Sequence, residues 1–193
     1  MLLIAAYLTN TERFSAYETV NYWCSDESRF GLHTRTGRMI TGKGTKAIGY
    51  HQWSFKAFWL YGAVAPGTGE SFFWQFSHFD TDCYQQFLEY LSQAYPKTLI
   101  ILQVDNGRPH TAKKLVVPEN IILLFQPPYS PELNPIERLW QALKQDLKWE
   151  LFFNLDELHC FLARALKKLT PQFIASVCGY SFILDALSVA NIY

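Results

Sequence analysis

Asp26, Asp105 and Glu137 are the residues whose types and settings suit shared chemistry. Two of them close apolar runs, YWCSD and TLIILQVD, so each is expected at the end of a β-strand, where α/β sheets usually build their sites. The third lies in NPIERLWQALKQDLKW, in the first turn of an expected helix. Three carboxylates gathered without a cation would repel: two unit charges about 4 Å apart oppose each other by about 4 kcal/mol at an effective dielectric of about 20. Such a cluster needs hard cations, and an all-oxygen donor set favours Mg²⁺ or Mn²⁺ over Zn²⁺. Two ions of this kind would activate a nucleophile and stabilise the leaving oxygen of an in-line phosphoryl transfer, which makes cleavage or joining of nucleic acid the natural reaction.

Two readings of Glu137 stand side by side. Asn134 followed by Glu137 is close to a capping-box pattern, in which the carboxylate does no more than accept from the cap's backbone N–H. On the helical wheel, Ile136, Trp140, Leu143 and Leu147 share one stripe, while Glu137, Gln141, Lys144 and Lys148 share its neighbour. That polar line suits a metal ligand beside a phosphate backbone, and it also suits a solvated face with i,i+4 pairing. Glu27 alternates to the strand face opposite Asp26 and is expected outside the triad. A lone His110, five residues past Asp105, reads as a structural hydrogen-bonding residue rather than a ligand or general base.

The elements that must position these groups follow from periodicity and turn chemistry. Strands are expected at 18–26, 57–65, 71–77, 98–105 and 120–126, with a Gly-rich hairpin or loop at 37–49. Tyr84, Phe87, Leu88 and Leu91 recur at helical spacing between a capping Asp80 and a terminating Pro96. Helical patterns resume at Pro135 and again near 155–168 and 171–178, and the later aromatics Trp149, Phe152, Phe153, Phe161, Phe173, Tyr180 and Phe182 read as core, with part of the set open to a subunit interface. Strands first and helices last, with one helix crossing between, describe an α/β layer with a helical C-terminal flank.

Composition bounds the rest. A chain of 193 residues that is 49% apolar and 18% charged buries one good core, and disorder is disfavoured. The net charge is zero, yet no acidic residue falls between Glu27 and Glu70, while Arg29, Arg35, Arg38, Lys43, Lys46 and Lys56 all do. That patch is either a solvated hairpin whose charges find carboxylates elsewhere in the fold or a phosphate-binding surface. Cys24, Cys83, Cys160 and Cys178 lie too far apart in sequence for a zinc knuckle, and nothing suggests a disulfide framework. The opening MLLIAAYL is apolar but lacks a basic flank and is cut short by Thr9, Asn10 and Thr11, so no membrane segment and an intracellular protein are expected.

Three blocks, YWCSDESRFGL, IILQVDNGRPHTAKK and above all LLFQPPYSPELNPIERLWQALK, resemble the mariner-related bacterial insertion-sequence transposases of the DDE superfamily, over residues 18–178. The resemblance implies a ribonuclease H-like mixed sheet flanked by helices, with Asp26, Asp105 and Glu137 as the catalytic, metal-binding triad and Asn106 and His110 in support. It implies Mg²⁺ or Mn²⁺, two ions, and hydrolysis at transposon ends to free a 3′-OH that then attacks target DNA. Arg29, Arg35, Arg38, Lys43, Lys46, Lys144 and Lys148 are the expected DNA contacts, and a homodimer in the bacterial cytoplasm, at the nucleoid, is the expected setting. Relatives carry N-terminal helix-turn-helix modules, so residues 1–17 are expected to be a remnant, 18–193 the catalytic domain, and end recognition the work of a separate polypeptide. The rival expectations are an inert remnant that only binds DNA or dimerises, and a related nuclease without strand transfer.

Overall fold

The computed structural model describes residues 16–35, 37–38, 40–46, 48–190 and 192. Nearly all of the expected N-terminal remnant lies outside the described residues, as do positions 39 and 47 of the basic segment. Five strands make one sheet: β1 (Thr19–Gly31), β2 (Ala57–Val64), β3 (Ser71–Phe76), β4 (Thr98–Val104) and β5 (Ile121–Phe125), in the order β3-β2-β1-β4-β5. The β1–β2 and β2–β3 pairs are antiparallel, and the β1–β4 and β4–β5 pairs are parallel. Helix α1 (Thr81–Ala94) crosses between β3 and β4, and α2 (Ile136–Gln145), α3 (Leu155–Lys167), α4 (Pro171–Cys178) and α5 (Ser181–Ala190) follow the last strand.

Side-chain alternation along the strands divides the interior between the two sheet faces. Trp23 and Tyr61 join Ile100, Leu102 and Val104 against Tyr84, Phe87, Leu88 and Leu91 of α1, all of them buried. On the other face Tyr22, Cys24, Phe30 and Ile101 meet Ile136, Leu139, Trp140 and Leu143 of α2, with the C-terminal helices behind. The apolar stripe expected on α2 is buried throughout, including Leu147 just past its end. Asp80 caps α1 as expected, its carboxylate accepting from the Cys83 N–H at 2.8 Å.

Strand β1 corrects an expectation. The sequence pattern predicts a stop at Asp26, but the strand runs five residues further, to Gly31. The parallel ladder with β4 ends at Cys24, while the antiparallel ladder with β2 continues from Cys24 to Gly31. Asp26 therefore sits mid-strand, just beyond the point where its parallel neighbour stops. The segment 37–49 holds no strand pairing among its described residues, only a turn at Lys43–Gly44, with Gly44 at φ +82°. Helix α5 has no counterpart among the expected elements, and several aromatics assigned to the core are instead exposed: Phe153 at 93%, Phe182 at 55% and Phe173 at 42%. No single helix among the described residues is long and apolar enough to cross a membrane.

Candidate active site

Alternation puts Asp26 on the face covered by α2, and α2 is tied to β1 at two points. The Asn134 amide donates to the carbonyl of Ser25 at 3.0 Å, a buried bond, and the Trp140 indole N–H donates to Oδ2 of Asp26 at 2.9 Å. Gly62, the cross-strand partner of Asp26, makes room for that indole: a Cβ there would stand 2.6 Å from Trp140 Cη2. The approach to α2 is anchored as well. Gln103 on β4 takes the Tyr22 hydroxyl and donates to the carbonyl of Leu133 at 3.0 Å and to the Gln126 side chain at 3.2 Å.

Glu137 lies in the first turn of α2, and it does not close a capping box. The Asn134 N–H is already bonded to the carbonyl of Pro131 at 2.9 Å. Glu137 is instead near enough to Asp26 for its charge to act there. Asp26 keeps some exposed surface, but dense surrounding protein pushes its carboxyl well above the usual carboxylate range, and the charges of Glu27 and Glu137 push it further. The Glu27 backbone N–H and the Trp140 indole offset only part of this. Lys144, further along α2, is drawn below its usual range by burial and by Arg35, against the opposing pull of Glu137 and Asp26. The structure thus gathers Asp26, Glu137, Lys144 and Arg35 into one neighbourhood.

Asp105 stands one residue past β4, with its side chain 47% exposed. Its Oδ1 accepts from the Gly107 N–H at 2.8 Å and faces His110 Nδ1 at 2.6 Å. His110 in turn faces Glu27 Oε1 through Nε2 at 3.2 Å, and the side chains of His110 and Glu27 are 1% and 3% exposed. Burial pulls the imidazolium of His110 down, but hydrogen bonds to Asp105 and Glu27 and their charges overcome it and hold the group at about 10. The same contact with His110 holds the Asp105 carboxyl below its usual value, against a smaller effect of burial. Asn106 donates to the carbonyl of Gln126 at 2.8 Å, joining the loops that leave β4 and β5.

The donor set is all oxygen, and the repulsion at Asp26 is what a hard cation relieves. Among the described residues, however, no group of three or more His, Cys, Asp or Glu side chains stands close enough to hold a metal ion. Asp26 and Glu137 are neighbours, while Asp105 is engaged by His110. Of the expected DNA contacts, Arg35 and Lys148 pair across a short parallel bridge, and the Trp149 N–H donates to the carbonyl of Arg35 at 3.0 Å. Arg29 donates to the Phe55 carbonyl at 2.8 Å. Arg38, Lys43 and Lys46 are exposed and, among the described residues, meet no carboxylate within ion-pair distance. The patch is therefore not neutralised by carboxylates from elsewhere among the described residues. Sequence reasoning missed Trp140, Asn134, Gln103 and Gly62 as parts of the site, and it set Glu27 aside. The N-P-I-E-R-x-W string contains two of these, but only the long-range contacts reveal their partners.

The fold is similar to that of solved transposase complexes. The Mos1 mariner paired-end complex with Mn superposes with a TM-score of 0.68 at 17% identity over 92% of this chain and 55% of that one. A pre-cleavage Mos1 transpososome gives 0.68 at 16% identity over 92% and 56%, and the Mos1 strand transfer complex gives 0.66 at 17% over 92% and 54%. The chain therefore spans about half the length of those proteins, and the likeness establishes its ribonuclease H-like fold. An uncharacterized protein of Sinorhizobium fredii (strain NBRC 101917 / NGR234), y4pE/y4sA, is 33% identical over 116 residues, 59% of this chain and 86% of that protein. The model of the DDE superfamily endonuclease family matches residues 21–159, a span that holds Asp26, Asp105 and Glu137, and the chain belongs to that family.

Proposed function

We propose that residues 18–193 form the catalytic domain of a DNA transposase, which cleaves strands at transposon ends and joins them to target DNA with the help of divalent metal. The observation that carries this reading is the double tether of α2 to β1, Asn134 to Ser25 and Trp140 to Asp26, which sets Glu137 beside Asp26 in a DDE-family chain. Asp26, Asp105 and Glu137 would hold Mg²⁺ or Mn²⁺, two ions in all. Bound there, the metal would supply Lewis-acid stabilisation of the phosphate and an activated oxygen nucleophile. The crystallised Mos1 complexes with Mn and with Mg support this choice.

The chain's own residues do the positioning. The Trp140 indole fixes one oxygen of Asp26, His110 and the Gly107 N–H fix one oxygen of Asp105, and Asn106 braces the loop beside it. Lys144 and Arg35 place positive charge next to the acidic pair, where a phosphodiester would lie. Arg29, Arg38, Lys43, Lys46 and Lys148 extend that charge along the backbone path. Contacts of this type bind without sequence preference, so end recognition calls for a sequence-reading module such as a helix-turn-helix. The Mos1 paired-end complexes support a homodimer working on paired DNA ends.

The deciding experiment uses precleaved ends, target DNA and Mn²⁺. Joined products are expected from the parent chain and none from Asp26→Asn, Asp105→Asn or Glu137→Gln. Cut products without joined ones would leave a nuclease. A second reading, an inert module that binds DNA or dimerises, is favoured by one observation: among the described residues, the three carboxylates do not converge within a metal's reach. It predicts neither cutting nor joining at any metal concentration.

A further inference from the structure

Glu27 is a carboxylate with no part in the mechanism so far, yet its side chain is 3% exposed on the α1 face of the sheet. A buried charge is strongly destabilising unless it is paired, and among the described residues its one ion-pair partner is His110. Its surroundings are apolar: Trp23 and Tyr61 are buried on the same face, and the ring of Tyr84 packs on His110 at 4.2 Å between centroids. A leucine would fill that space without any desolvation penalty. What a carboxylate adds is an anchor for the far nitrogen of an imidazole whose near nitrogen sits 2.6 Å from Asp105 Oδ1.

We propose that Glu27 is a positioning residue for the metal site: its buried carboxylate, held against His110, keeps that imidazole on one oxygen of Asp105 and so leaves the other oxygen for the cation. The anchor runs from Glu27 on the α1 face, by way of His110, to Asp105 just past the end of β4. His110 and the Gly107 N–H both engage Oδ1, and a Cβ at position 107 would come within 2.8 Å of that same atom, so the loop is shaped around one oxygen only. Outer partners of this kind typically change metal affinity by about 10- to 100-fold when removed. The inference rests on the reading of Asp105 as a metal ligand.

The test is a Mn²⁺ titration of the full chain followed by electron paramagnetic resonance of free Mn²⁺, with thermal melting and metal-dependent strand cleavage measured alongside. Glu27→Gln keeps the volume and weakens the acceptor, and Glu27→Leu removes it. The expected order of Mn²⁺ affinity is parent, then Glu27→Gln, then Glu27→Leu, with reductions of about 10-fold and up to about 100-fold. Cleavage should recover towards the parent rate when Mn²⁺ is raised to saturation. Combining Glu27→Leu with His110→Gln should weaken binding no more than the stronger single change, because both break one chain of contacts. Unchanged Mn²⁺ affinity in variants that melt lower would make Glu27 merely structural and overturn the proposal, as would effects that multiply in the double variant. If Glu27→Leu fails to fold, the same comparison is made with Glu27→Gln and His110→Gln. Asp105→Asn is the control: parent-like Mn²⁺ binding in that variant would refute the metal site itself rather than the role of Glu27.

Discussion

Burial, Glu27 and Glu137 together hold the Asp26 carboxyl well above the usual carboxylate range, and the indole of Trp140 is the side-chain donor that counters them. Trp140→Phe keeps most of the packing and removes that donor, so it is expected to lower stability by about 1–3 kcal/mol in a denaturant titration and to reduce strand cleavage. Gly62→Ala attacks the same contact from the other side. Its methyl would enter the space of the Trp140 ring, 2.6 Å from Cη2, and overpacking of this kind costs about 1–3 kcal/mol. Parent-like stability and activity in Gly62→Ala would show that the indole has another place to go. The candidate carboxylates were legible in the sequence because each ends or begins a recognisable apolar pattern. The roles of Trp140 and Gly62 were not. The helical wheel places Trp140 correctly in the core, but its bond to a residue far away in sequence exists only once α2 lies on β1.

At the level of elements, α1 offers a clean pH test. Asp80 caps it, and hydrogen bonds from the Cys83 backbone hold the carboxyl of Asp80 below its usual value. A depressed carboxylate stabilises the fold above its unfolded value of about 3.9 and loses that contribution as pH falls through the folded value. Asp80→Ala should therefore cost about 1 kcal/mol at pH 7, with the difference from the parent fading as pH falls below the unfolded value and through the lower folded one. A difference that persists undiminished in strong acid would mean that the cap acts by something other than charge. The helices α1, α3 and α4 and strands β2 to β5 were legible from periodicity, with the stated ends matched or displaced by one residue. The length of β1 was not, because its continuation past Asp26 depends on an antiparallel partner whereas its start depends on a parallel one. Helix α5 does carry a helical period, with Ser181, Asp185 and Ser188 on one stripe opposite the buried Ile183 and Leu187, but the stripe is narrow and the rest of the helix is apolar, and the sequence reading passed over it.

On the scale of the molecule, an electrically neutral chain carries positive charge on the segment between β1 and β2 and on the outer line of α2. Replacing Arg35, Arg38 and Lys43 together by Gln should weaken binding to duplexes of any sequence and flatten the dependence of log K on log salt by about 0.9 for each phosphate no longer neutralised. An unchanged salt slope would move the DNA path elsewhere. That path matters only if the acidic cluster performs chemistry, and there the structure leaves one adjustment to be made: Asp105 must meet Asp26 and Glu137 around an ion, which no three such side chains among the described residues yet do. Diffraction from crystals soaked in Mn²⁺, recorded at the manganese edge, tests this most directly. Anomalous density is expected between the carboxylates of Asp26, Asp105 and Glu137, and it should vanish in Asp105→Asn. Density confined to other sites, or none at saturating Mn²⁺, would contradict it.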